Sequence, residues 1–145
     1  ICDGSIQIEC NIICIHNTYN MEIIVSAVLM LVLDWLYLSN IGTPLFSKMV
    51  NNIQSSELKL NVGGAVGAYI LMIIVLYKFI LYERRSPMDA FLLGVCVYGV
   101  FDFTNYAIFK DYKMIPAGLV DMIWGGILFY SVTYLTYKAL GVTRR

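Results

Sequence analysis

Four stretches of the chain, each about 20 residues long and nearly free of charge, limit what it can fold into more than any other feature. A helix that crosses a bilayer needs about 20 mostly apolar residues, because the hydrocarbon core is about 30 Å thick and the helix rises about 1.5 Å per residue. The stretches run from about Glu22 to Ile41, Leu60 to Tyr82, Pro87 to Phe109 and Pro116 to Leu140. With 59% hydrophobic and only 14% charged residues over 145 positions, the chain is too apolar for a soluble domain. The expected fold class is all-α: a polytopic membrane protein built as a four-transmembrane-helix bundle, with the lipid bilayer as its solvent.

Local signals set the ends of these helices. Ser86 can cap the third, Pro87 and Pro116 can each occupy a first helical position, and Gly141 can close the last. The long first connection, GTPLFSKMVNNIQSSELKLN, has a helical pattern of its own. Thr43 can cap it and Pro44 can open it. Leu45, Phe46, Met49, Val50 and Ile53 then share one face, as in a short interfacial helix between spans 1 and 2. The same residues also fit a continuation of the first span bent at Pro44.

Ten basic and ten acidic residues balance to zero, so nothing suggests a nucleic-acid partner. Their placement is more informative. Lys78, Arg84, Arg85, Lys138, Arg144 and Arg145 fall on one side of the membrane, and Lys48, Lys59, Lys110 and Lys113 on the other. By the positive-inside rule both termini are expected in the cytoplasm. Residues 1–20 lack the pattern of a signal peptide, and an apolar run follows Met21 at once. They are expected to be a disordered or non-native extension, with 21–145 forming a single domain. Cys2, Cys10, Cys14 and His16 lie in that segment, and Cys10, Cys14 and His16 make too incomplete a ligand set to indicate a metal site.

Within the spans stand three aspartates: Asp34 in LVLDWLYL, Asp102 in VFDFTNY and Asp121 in GLVDMIWGG. Each costs about 2.5 to 3.5 kcal/mol at the bilayer centre, and intramembrane acids mark ion or substrate paths by default. Counted along the helices, all three lie roughly 7 to 11 Å below the outer surface, in one layer. The short KDYKMI connection makes spans 3 and 4 antiparallel neighbours. Asp102 is thus expected to face Asp121, with Asn105 and the Trp124 N–H as donors. Neither lysine nor arginine falls at that depth. Acids so close in a low dielectric cannot all ionise, so the layer either holds protons or captures a cation.

The tyrosines near span ends, including Tyr37, Tyr112 and Tyr137, read as interfacial anchors. Gly63 and Gly67, Ala90 and Gly94, and Gly125 with Gly126 offer small-residue packing sites within one chain or between chains of an oligomer. No P-loop, dinucleotide fingerprint, zinc-protease pair or nucleophile elbow occurs, and the pairing of acids in membrane aspartyl proteases is not reproduced. Enzyme chemistry of a known type is not expected, and no cofactor is.

LDWLYL, FDFTNYAIFKDYKMIP and VDMIWGG together resemble the signature of a family of small integral membrane proteins catalogued as domain of unknown function family 2177. Asp34 with Trp35, Asp102 with Thr104 and Asn105, and Asp121 with Trp124 and Gly125 match it position by position. Phe101 stands where the family usually has tyrosine. The likeness covers about Met21 to Lys138 and implies four membrane helices without implying an activity. The leading expectation is a small transporter or a protein that binds a proton, cation or small cationic substrate. Its polar intramembrane site would comprise Asp34, Trp35, Asp102, Thr104, Asn105, Asp121 and Trp124. The alternative is a structural or accessory subunit whose buried acids only lock the helices together.

Overall fold

The computed structural model describes the backbone of residues 4–142 and the side chains of residues 19–142. Residues 1–18, on which the reading of the N-terminal extension, Cys2, Cys10, Cys14 and His16 rests, lie outside the residues whose side chains are described. The chain forms α1 (Gly4–Tyr37), α2 (Thr43–Gln54), α3 (Val62–Leu76), α4 (Pro87–Ile108) and α5 (Leu119–Leu140). π-Helical turns at Leu38–Gly42 and Met114–Gly118 lead into α2 and α5, and a third, Tyr77–Leu81, extends α3. Among the described residues four helical spans are long and apolar enough to cross a membrane: Tyr19–Gln54, Val62–Leu81, Pro87–Ile108 and Met114–Leu140.

The helix ends follow from local chemistry. Ser86 Oγ accepts from the Asp89 amide at 3.2 Å while Asp89 Oδ2 accepts from the Ser86 amide at 3.1 Å, a reciprocal cap ahead of Pro87. Asn61 caps α3 by accepting from the Gly64 amide at 3.1 Å. Gly141 ends α5 with a φ of 63°, the left-handed conformation that glycine adopts without a Cβ penalty. Thr43 does not cap. The preceding Gly42 keeps helical angles (φ −60°, ψ −57°), so α2 continues α1 through the π-helical turn. The apolar face of α2 packs Met49 against Tyr112 and Ala117, with Leu45, Phe46 and Ile53 alongside, and so covers the α4–α5 connection.

The distribution of polarity is inverted relative to a water-soluble bundle. Val100, Leu71 and Trp35 are 70%, 64% and 65% exposed, whereas Glu22, Asp34 and Asp102 are buried. Only an apolar solvent makes that arrangement favourable, so this is a multi-pass membrane protein. Its packed centre joins Met30 of α1, Leu76 of α3, and Leu128, Phe129 and Val132 of α5.

α4 and α5 approach most closely. A Cβ on Gly94 would stand 2.2 Å from the Gly125 carbonyl oxygen, and one on Gly125 would stand 2.4 Å from the Tyr98 ring. The Ala90–Gly94 step therefore packs against the Gly125–Gly126 pair within the chain. A Cβ on Gly67, by contrast, would meet nothing within 4 Å among the described residues. At the end of the bundle away from α2, Arg84 pairs with the buried Glu22, and the Tyr137 hydroxyl reaches the Ile80 and Arg85 carbonyls at 3.2 and 3.0 Å. Tyr137 is buried and ties elements together, unlike the interfacial anchor expected from its position.

Candidate functional site

The three aspartates come from three helices and each is held by aromatic donors. Asp34 of α1 is 5% exposed and accepts from the Tyr69 hydroxyl of α3 at 2.6 Å and the Trp124 indole of α5 at 2.8 Å. Asp121 of α5, 8% exposed, accepts from the Tyr37 hydroxyl of α1 at 3.1 Å. Tyr37 lies one turn beyond Asp34, and its ring stacks on Trp124 with centroids 4.4 Å apart and planes 8° from parallel. The two carboxylates are therefore bridged by one aromatic pair. Asp102 of α4 is fully buried, and one oxygen accepts from the Tyr112 hydroxyl. Its other oxygen has no hydrogen-bond partner among the described residues.

Glycine makes this approach possible. A Cβ at Gly118 would lie 3.4 Å from the Asp102 Cβ and 2.6 Å from the Met114 sulfur. The turn entering α5 can thus press against α4 beside the acid. Tyr112 lies between the spans, and its phenol is held above its ordinary pKa by burial, then by its hydrogen bond to Asp102. It consequently stays protonated and remains a donor.

The donors differ from those expected. The Trp124 N–H serves Asp34, while Tyr112 and Tyr37 serve Asp102 and Asp121. Tyr37 and Tyr112, read as interfacial anchors, are 4% and 7% exposed. Tyr37 could have been found from its spacing, since it follows Asp34 by three residues on the same helical face. Tyr69 carries no comparable signal, because its partner lies 35 residues away on another helix.

The remaining expected residues divide. Asn105 is half-buried and Trp35 is largely exposed, and both line a cavity beside the acids. Thr104 is exposed and does not line it.

The cavity has a volume of about 610 Å³. Asp34, Tyr37 and Asp121 contribute its polar wall, and Tyr98, Phe101, Asn105, Phe109 and Tyr112 the α4 side. Phe46, Met49, Val50 and Ile53 of α2 line it as well. None of the lining residues is basic. Two acids with no cationic partner among the described residues, in a hollow whose lining is mostly apolar, favour positive charge there. Among the described residues, no three His, Cys, Asp or Glu side chains are grouped so as to hold a metal ion.

No curated protein and no solved structure matches the chain. The family profile described as "Predicted membrane protein (DUF2177)" matches residues 19–138, which include all three aspartates and their aromatic donors. The chain therefore belongs to the DUF2177 family of predicted membrane proteins.

Proposed function

We propose that this protein is a small transporter or cation-binding membrane protein that takes up a proton or a cation at Asp34, Asp102 and Asp121, with both termini in the cytoplasm. The observation that carries this reading is the cavity: two buried carboxylates on the wall of a hollow that, among the described residues, no basic side chain lines. Asp102, with one oxygen unpartnered among the described residues, supplies a third acceptor. Trp124 and Asn105 orient the site and Trp35 lines it, whereas Thr104 lies outside the cavity.

Reconstitution tests the proposal. Proton-linked flux or cation binding in liposomes is expected for the native chain and is expected to be lost in Asp34→Asn and Asp121→Asn. Native levels in both variants would remove the reading. A second reading, a helix lock, draws on the hydrogen bonds from Tyr69, Trp124 and Tyr37, each of which joins two helices. Such bonds are worth about 0.6 to 2 kcal/mol each in a membrane. A lock predicts that the Asn variants change stability alone, with neither flux nor binding in the native protein.

A further inference from the structure

We infer that the occupant of this cavity is an amphiphilic organic cation, with one positive charge and an apolar, aromatic-compatible body. The inference rests on the cation-binding reading above and narrows its ligand class. Size is the first argument. A volume of about 610 Å³ falls within the roughly 300–1,000 Å³ typical of sites for drug-sized molecules and far exceeds a bare ion.

Ligand chemistry is the second. Hard inorganic cations require about six to eight oxygen ligands, or retained water. Here the carboxylates of Asp34 and Asp121 already accept from phenols and an indole, and most of the remaining wall is apolar. An organic cation needs only charge compensation at one end, which an acid supplies without coordination geometry. Its body would contact Phe46, Met49, Ile53 and Phe109, while Trp35 and Tyr98 offer ring faces for cation–π contact.

The third argument is composition. The lining combines the acids Asp34 and Asp121 with the apolar α2 residues Phe46, Met49, Val50 and Ile53. It therefore offers both kinds of surface that an amphiphile presents. That occupant could come from the lipid phase, as an aminolipid, or from solution, as a hydrophobic amine. The shared chemistry is a cation joined to an apolar body.

The test uses the protein in lipid nanodiscs with methyltriphenylphosphonium and its neutral analogue, triphenylphosphine oxide. Saturable binding of the cation is expected, at least tenfold tighter than that of the neutral analogue and competed by protons as pH falls. Asp34→Asn and Asp121→Asn are each expected to weaken it at least tenfold. A parallel arm adds a long-chain trimethylammonium amphiphile through the lipid phase, and its displacement of the phosphonium identifies the lipid as a source. Failure to displace, with the phosphonium still bound, assigns the site to soluble cations. Equal affinity for charged and neutral probes in the native protein would overturn the inference without reliance on any variant. If sodium or protons bind at the acids while the phosphonium does not, the inference fails and the cation-binding reading stands. If none binds, both fail.

Discussion

The closest approach between α4 and α5 provides a sharp test of the packing that holds the acids in place. In Gly94→Ala, the new Cβ would sit 2.2 Å from the Gly125 carbonyl oxygen, 2.7 Å from its carbonyl carbon and 3.0 Å from the Phe129 Cβ. Ordinary carbon–oxygen contacts lie at about 3.3–3.6 Å, so the helices must part by roughly 1 Å. A gap of that size forfeits a quarter to a half of each dispersion contact it opens. Overpacking costs about 1–3 kcal/mol, and here the upper part of that range applies because the obstruction is backbone. Replacing glycine by alanine within a helix returns about 0.8–1.0 kcal/mol. The net expectation is a loss of about 1–2 kcal/mol. Gly67→Ala is the control: with nothing within 4 Å of its Cβ, only the propensity gain remains. Denaturant titration in micelles, followed by tryptophan emission, should show Gly94→Ala below and Gly67→Ala at or above the native stability. The reverse order would refute the α4–α5 packing derived above.

Three further outcomes follow from the buried polar groups. Tyr37→Phe removes the donor to Asp121 but keeps the ring on Trp124, so it should cost about 1.5–3 kcal/mol if the acceptor is charged, read by the same titration. Arg84→Ala leaves fully buried Glu22 without its cation and should cost about 3–5 kcal/mol, whereas Arg84→Ala combined with Glu22→Leu should recover most of that loss. Thr133→Val replaces a buried hydroxyl that has no hydrogen-bond partner among the described residues with a methyl group of similar shape. It should raise the thermal midpoint, by relief of about 1–3 kcal/mol of desolvation.

Much of the architecture was legible in the residues because membrane insertion and helix termination are local. Apolar length marked the spans, the Ser86–Pro87 pair and Gly141 marked their ends, and the short α4–α5 connection made those helices neighbours. The acids were legible because charge in an apolar run is conspicuous. Their donors were harder to see. Tyrosine near a span end has the same sequence appearance whether it reaches water or turns inward: helical phase separates buried Tyr37 from exposed Tyr106, and packing of the α4–α5 connection under α2 buries Tyr112. The Gly63–Gly67 step shows the opposite limitation. Its spacing suits close packing, yet no described residue comes within 4 Å of a Cβ at Gly67. Likewise, Pro44 was compatible with both a break and a continuation, and the helical angles at Gly42 give continuation.

Trp124 offers the most direct measurement of the central claim, since its indole donates to Asp34 while its ring lies against the Tyr37 that donates to Asp121. In Trp35→Phe it becomes the only tryptophan. Titrating that protein in nanodiscs with methyltriphenylphosphonium should produce a saturable change in Trp124 emission, absent when Asp34→Asn is added. Emission that stays constant across the titration would contradict a cation site built on these acids.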